Sequence, residues 1–467
     1  MIDLARDDGL WSPGRRALTI GLILNVTIVA SEALAVSTIM PIVARDLGGI
    51  DLYGWVFSGF FLGSLLGIVV AGMLIDRGSL VRPFMLGIGL FALGLLVGGL
   101  APSMPILVGA RIIQGFGAGA IPAVAYVSIA RAMPERLRPR MFATLSTAWV
   151  LPGVIGPTLA GVVAETLHWR LVFLGLLPLI AVASLLTLPA IAAVGPATAA
   201  ERDAEHAAAA RARRRLPLAI VLVIGAALVV AGLSNLGPLP LVLILAGLLI
   251  GGPAFARLTP PGTLRAARGL PTAVLLRGVL TFAFFCADAY VPLAIQEWRG
   301  APAVVSGLVF TASTLTWTGG AWIQAQRIQR IGPTRFLMAG FAVVTVGVAG
   351  FAAVLIPAVP LVAGVVAWAI AGFGMGLSYS TLALVVLREA PPAEQGAATA
   401  ALQLSDVLGT SLGTGIGGAL IAFGLRSGSP GWFGLAGAFA VSAAVAVGGL
   451  GITRRLRQGS AGGGVVG

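Results

Sequence analysis

Apolar runs of about 18 residues or more recur from one end of this chain to the other, and a run of that length crosses a bilayer core as a helix. The chain therefore reads as an all-α, polytopic integral membrane protein. The spans read at 17–43, 53–75, 83–100, 104–130, 141–163 and 170–191, then 216–234 and 238–256, then 270–295, 303–325, 335–356, 358–386, 396–423 and 432–452, fourteen in all. Composition agrees. Of 467 residues, 58% are hydrophobic and 10% charged, where a soluble domain carries about 25% charged residues. Sixty-five glycines let helix backbones approach closely, which is how helices associate in lipid.

A net charge of +13 could mark a nucleic-acid binder, but its placement argues against one. All 30 basic residues are arginine. With the N-terminus inside, 24 fall in inner segments, four (Arg45, Arg170, Arg299 and Arg426) in outer loops and two (Arg111 and Arg277) within spans. This positive-inside bias places both termini in the cytoplasm of a multi-pass protein of the inner (plasma) membrane. The first run is too long for a signal-peptide core and reads as an uncleaved span. The single cysteine, Cys286, supports neither an internal disulfide nor a zinc site and reads as apolar packing. No lysine exists to build a GxxxxGK[ST] phosphate loop, so energy is expected from a gradient. No metal or cofactor is expected, and the chain reads as a monomer.

The chain also repeats itself. GFGAG at 115–119 recurs as GFGMG at 372–376, an offset of 257 that carries Gly156 and Gly161 onto Gly413 and Gly418. Glu32 maps near Asp288 at an offset of 256. The reading is a parallel duplication: a six-helix bundle over 1–194, a cytoplasmic linker with a helical turn or two over 195–215, an inserted transmembrane hairpin over 216–258, a second six-helix bundle over 259–454 and a disordered tail over 455–467. Transporters built of such repeats bind cargo near the midplane between the halves and rock to alternate access.

These residues resemble the major facilitator superfamily, and within it the 14-span drug/proton antiporters. GMLIDRGSLVR (72–82) is similar to the loop signature between spans 2 and 3, with Gly72, Asp76, Arg77 and Arg82 in place and Gly78 one position early. ARIIQGFGAGA (110–120) matches the span-4 signature through Arg111, Gln114, Gly115 and Gly117. SEALAVSTIMPIVARDLGG (31–49) resembles the span-1 signature, with Glu32 in place of Asp nine positions before Pro41. HWRLVF (168–173) fits the entry to span 6. The span-5 antiporter signature keeps Gly156, Pro157 and Gly161, but Pro152 and Ala160 replace glycines.

Glu32 poses the physical problem. A carboxylate near a helix centre in hydrocarbon costs about 2.5–3.5 kcal/mol or more. Helical rise puts Glu32 and Arg111 at similar depth, so they can pair, either as a permanent ion pair that fixes helix packing or as a proton-coupling pair; the resemblance implies the second. Asp288 is a second candidate for proton or cation binding, with a solvated helix cap as its alternative. Asp406, with Gln403 one turn before it, is expected to face a substrate cavity with Asn25, Trp149, Tyr126, Tyr379 and Trp317. Mid-span aromatics beside acids suit a lipophilic cation, although plain helix packing is the alternative. Arg277, two turns into its span, is expected to snorkel to the cytoplasm. The resemblance makes Gly72, Asp76, Arg77 and Arg82 a gating loop; Gly153, Gly156, Pro157 and Gly161 would pack and kink span 5.

The expected function is proton-coupled export of amphiphilic or cationic small molecules, a drug/proton antiport by alternating access. Transport of a lipid or specific metabolite is the alternative. An integral-membrane transferase would need clustered loop acids, and Asp46, Asp51, Glu165 and Glu297 are scattered; the chain reads as no enzyme.

Overall fold

The computed structural model describes residues 9–75, 80–134, 136–194, 199–234, 239–391 and 394–456, and these are all helical or loop, with no strand among them. Thirteen helices among them are long and apolar enough to cross a membrane. The fourteenth expected span, 303–325, lies in the 29-residue helix Ala303–Ile331. It is long enough to cross but dilutes its apolar residues with Ser, Thr and Gln.

Four helices open the chain: α1 Arg16–Leu47, α2 Tyr53–Ile75, α3 Val81–Gly99 and α4 Met104–Ala132. The fifth span is broken into α5 Arg138–Thr147 and α6 Val150–Val163, followed by a π-helical turn, Ala164–His168. The sixth is α7 Arg170–Leu174 and α8 Leu176–Ala192. After α9 Ala199–Leu233 and α10 Pro240–Leu258 comes another broken span: α11 Leu270–Asp288, α12 Val291–Leu293 and a second π-helical turn, Ala294–Trp298. Then follow α13 Ala303–Ile331, α14 Pro333–Ala352, α15 Leu361–Glu389, α16 Gln395–Arg426 and α17 Trp432–Thr453.

Proline explains all three breaks. It cannot donate to the carbonyl four residues back and its ring collides with it. Pro152, Pro178 and Pro292 place that carbonyl on Ala148, Leu174 and Asp288, the points where α5, α7 and α11 end. In lipid a freed carbonyl needs another donor, and the Thr27 hydroxyl donates to that of Ala148 at 3.3 Å.

The segment 195–215 departs from expectation. From Ala199 onward it is the start of a continuous 35-residue helix that runs through Pro217 to Leu233. Alanine, glutamate and arginine are strong helix formers, so the charged stretch extends the helix instead of interrupting it. α9 and α10 pack on each other, and α9 also packs on α2 and α16, where Leu222 and Ala226 join Leu62, Leu65 and Leu408 in one buried cluster. The expected tail is described only at its start, where Arg454–Leu456 forms a 3-10 turn; 457–467 lie outside the described residues.

The glycine repeat sets the helix contacts. A methyl on Gly119 would strike the Ser64 backbone, and one on Gly376 would strike Ala321. Likewise Gly117 meets Gly87 while Gly374 meets Val344. Each partner pair is itself 257 apart, so the duplication is written into contacts as well as sequence. Replacing Gly119 or Gly376 with Leu is expected to lower the melting temperature of the detergent-purified protein sharply, by the overpacking route worth about 1–3 kcal/mol or more. Gly109→Ala, with nothing within 4 Å, is the control and should leave melting unchanged.

Candidate functional site

α1 and α4 bring Glu32 and Arg111 together. The Arg111 guanidinium donates through Nη1 to Glu32 Oε1 and to Gln114 Oε1, the latter at 2.7 Å. Its Nε donates to the Val56 carbonyl at 3.3 Å, and its plane lies 4.3 Å from the Phe60 ring centroid. Glu32, Arg111 and Gln114 are 1%, 2% and 0% exposed, so the pair is sequestered. Even so, Glu32 Oε2 and Gln114 Nε2 have no hydrogen-bond partner among the described residues.

A second buried ion pair corrects the sequence reading of Arg277. Arg277 does not snorkel to an interface; it is 3% exposed and turns into the protein toward α15 and α16. Its Nε lies 3.1 Å from Asp406 Oδ1 and its Nη2 donates to Oδ2 at 3.3 Å. Nη1 donates to the Tyr379 carbonyl at 2.7 Å, and the guanidinium sits 3.0 Å from the Tyr379 ring centroid. The Tyr379 hydroxyl donates to Asp406 Oδ2 at 2.8 Å. Distance to the helix end, the basis for expecting a snorkelling arginine, carries no information on counter-ions from other helices. Asp406 is 129 residues further along the chain, on α16, and only packing reveals a counter-ion at that depth. Gln403 is half-buried one turn from Asp406.

Asp288 ends α11 and receives one hydrogen bond, from the indole Nε1 of Trp368 at 3.2 Å. Trp368 is the 257-offset counterpart of Arg111, and Trp317 that of Phe60. The two halves of the sequence therefore set an acid against the same register with different chemistry, a guanidinium in one and an indole in the other. A Trp at the Arg111 register was a signal legible in the sequence. Trp368 stacks on Phe284 at 5.1 Å, Phe284 meets Trp317 edge-on at 5.7 Å, and Trp317 meets Tyr379 at 5.5 Å. This ladder of rings starts on Asp288 and ends on Asp406. Trp317 and Tyr379 are half-buried and Trp368 and Phe284 fully so.

Other expected residues scatter. Asn25 is 1% exposed and ties α1 to α8 through Thr187 Oγ1 at 2.8 Å. Tyr126 and Trp149 are 49% and 46% exposed. Gly153 and Gly161 press on α13 at Thr314 and at Ala303 and Val304; a methyl on Gly156 would come no nearer than 4.0 Å to the Ser31 carbonyl; Pro157 is buried, its backbone against Gly307. Gly72 is half-buried and Arg82 exposed; Asp76 and Arg77 lie outside the described residues.

The first six spans and the last six are joined at one end of the molecule. There Arg45 Nε pairs with Glu297 at 2.9 Å and Gln296 donates to the Thr38 carbonyl at 2.8 Å. The Ser58 hydroxyl donates to the Ser411 carbonyl at 2.8 Å, Tyr53 to the Ala289 carbonyl at 3.3 Å, and the Ala303 amide to Glu165. Glu165 and Glu297 both stand on the π-helical turns, a form of helix that recurs at functional sites.

Long apolar helices around buried ion pairs define a multi-pass integral membrane transporter. The Major Facilitator Superfamily model matches residues 20–414, and the chain belongs to that family. It is accordingly a secondary transporter and not an enzyme. It is 27% identical over 443 residues to a "probable multidrug-efflux transporter" of Mycobacterium tuberculosis, covering 90% of this chain and 91% of that protein. It is 29% identical over 433 residues to an uncharacterized MFS-type transporter of the same species, covering 88% of this chain and 60% of the relative. Its fold is that of an auto-inhibited POT family peptide transporter (TM-score 0.71, 17% identity, 95% of this chain and 98% of the other) and of a D-xylose–proton symporter (TM-score 0.62, 13% identity, 92% and 97%).

Removing one member of a buried ion pair costs about 3–5 kcal/mol, because the other is left charged and alone. Arg111→Gln is therefore expected to lower the melting temperature strongly, and Glu32→Gln added to it should restore most of the loss. The same cycle on Arg277→Gln and Asp406→Asn should behave alike, measured by melting in detergent.

Proposed function

We propose that this protein is a proton-coupled exporter of amphiphilic, cationic small molecules, a drug/proton antiporter of the 14-span branch. The observation that carries the reading is the sequestered Glu32–Arg111 pair: ionisable residues inside spans are functional by default, and this one retains a carboxylate oxygen with no partner among the described residues. In this reading bundles over 1–194 and 259–454, with the 216–258 hairpin between them, tilt about a cavity whose walls carry Trp149, Tyr126, Trp317, Tyr379, Gln403 and Asp406. Glu32, Arg111 and Asp288 form the coupling set. Tilting changes burial and counter-ion distance, the two quantities that govern a carboxylate's proton affinity.

In this reading the arginine bias sets the end that carries Arg45 and Glu297 on the outer face and both termini in the cytoplasm of the inner membrane. The gating loop of Gly72, Asp76, Arg77 and Arg82 would close the opposite end. The working unit is a monomer. One proton moving down 100 mV releases about 2.3 kcal/mol, enough for roughly 50-fold accumulation of a neutral solute.

A lipid or a specific metabolite is the second reading. The eroded span-5 signature favours it, as does the α9–α10 hairpin, where Leu241, Leu248 and Leu249 are 66%, 56% and 73% exposed.

The test is proton-driven transport in proteoliposomes. Glu32→Gln and Arg111→Ala should each slow transport by about 10²-fold, the effect of misplacing a positioned group, and flatten its pH dependence. Wild-type rates with the pH dependence intact in both variants would refute the coupling assignment.

A further inference from the structure

A positive-inside bias asks only that arginine lie somewhere in an inner segment; it does not ask that the segment be tied down. The loop between α10 and α11, 259–269, is tied down along its length. The Thr263 hydroxyl, at the start of the 3-10 turn Thr263–Arg265, donates to the Pro260 carbonyl at 2.6 Å, and the Ala267 amide donates to the Gly262 carbonyl at 3.0 Å. The Thr272 hydroxyl, in the first turn of α11, donates to the Ala267 carbonyl at 2.6 Å. From 190 residues away, Arg455 Nη1 donates to the Arg265 carbonyl at 2.7 Å and to that of Ala266 at 3.3 Å. These bonds hold Ala266 at a φ of 49°, the one positive φ on a residue other than glycine among the described residues. Such backbone is strained for a residue with a Cβ; it persists where its surroundings over-determine it, and it gathers at functional sites.

What the loop presents is amphipathic. Leu264 is 57% exposed, and Arg265 and Arg268 beside it are exposed as well. Arg455 arrives from the end of α17, and Arg257 stands exposed in the last turn of α10. α9 adds to the cluster: Gly225 meets Gly247 and Gly251 while Gly232 meets Pro240 and Ile244, and this antiparallel register sets Arg215 level with Thr259. Arg257, Arg265 and Arg268 form no ion pair among the described residues. Glu389 does approach, since a methyl on Gly269 would stand 3.1 Å from its Oε2, and one acid leaves the cluster strongly positive.

An exposed leucine among unpaired guanidinium groups, at the edge of two apolar spans, has the polarity of a lipid in reverse. Guanidinium groups take phosphate oxygens in pairs, and arginine clusters just outside a membrane helix draw anionic lipids. We propose that the α10–α11 loop, closed by Arg455, is a binding site for the phosphate headgroup of an anionic phospholipid, with Leu264 in the acyl region beneath it. The lipid here is a resident ligand on the outside of the bundle and not a cargo, so the site stands apart from the export reading. A headgroup held there anchors the start of α11, the helix that carries Arg277 and Asp288, to the membrane surface.

The test titrates the full-length protein in detergent with phosphatidylglycerol, with phosphatidylcholine of the same chains and with inorganic phosphate, and follows melting. Phosphatidylglycerol should raise the melting temperature, and the other two should not at matched concentration. In the double variant Arg265→Gln, Arg268→Gln the phosphatidylglycerol needed for half the shift should rise roughly 30-fold, about fivefold for each arginine lost near the lipid surface. The double variant Arg327→Gln, Arg330→Gln removes the same charge from the end of α13 and should titrate like the wild type. A second measurement serves if the first double variant does not fold: Leu264→Ser keeps every charge and should retain less phosphatidylglycerol than the wild type in native mass spectrometry. An equal shift with phosphatidylcholine would show that no headgroup is recognised. An equal shift with inorganic phosphate would make this a free-anion site. Unchanged titration in Arg265→Gln, Arg268→Gln, or unchanged retention in Leu264→Ser, would show that the lipid sits elsewhere. Each of these overturns the proposal, and none of them touches the coupling assignment.

Discussion

A charge inside hydrocarbon must be neutralised on the spot, and that requirement organises this molecule. Glu32 on α1 is answered by Arg111 on α4, and Arg277 on α11 by Asp406 on α16. Each pair joins helices distant in sequence. Stability alone does not account for such pairs, since desolvating two ions offsets much of their attraction and apolar replacements are often as stable. What a buried pair does provide is a geometry with only one low-energy form. The helix breaks serve the same end. Pro152 and Pro292 interrupt their spans, and Asp288 stands at the second of those interruptions, at the end of a half-helix. Non-helical backbone at membrane depth is tolerated only inside protein or beside a cavity.

The duplication gives the two halves one frame and lets their chemistry diverge within it. Glycines at 117 and 374, or 119 and 376, make equivalent close contacts, so the fourth helix of each half holds its residues at the same height. Position 111 or 368 then decides whether the acid on the first helix of that half meets a cation or an indole. The divergence is complementary at the next level: Asp406 corresponds to Trp149, so one half carries an ion pair where the other carries an aromatic. Each half therefore carries one ion pair, Glu32–Arg111 or Arg277–Asp406, and one position where an aromatic stands in place of the other half's charged residue.

Much of this was legible in the sequence, for identifiable reasons. Apolar runs gave the helices, because length and hydropathy decide membrane spans almost alone. The 257 offset gave the repeat. Depth counting put Glu32 and Arg111 at one level, since both lie on unbroken helices where rise per residue is constant. Arg277 escaped the same arithmetic. Its depth was read correctly, but the direction of a long side chain depends on partners supplied by other helices, and Tyr379 and Asp406 are 102 and 129 residues away. The helix through 199–215 escaped for a different reason: a charged, alanine-rich stretch reads equally as linker or helix until a neighbour continues it, and the apolar run to Leu233 does.

The joined end is built differently from the deep ion pairs. Its contacts are many and individually modest. A half-exposed ion pair such as Arg45–Glu297 is worth about 0–1 kcal/mol, and single hydrogen bonds such as Ser58 to Ser411 about 0.5–1.5 kcal/mol. Packing adds specificity, with Gly54 against Gly418 and Gly161 against Ala303 permitting backbone approach that any side chain would block. A seam of this kind sums to a few kcal/mol, within the range that one bound cargo or one transferred proton can offset. The deep ion pairs lie outside that range and keep each half rigid. The contacts across the halves are thus individually weaker than the pairs within them, and the tilting proposed above would take place at the first and not at the second.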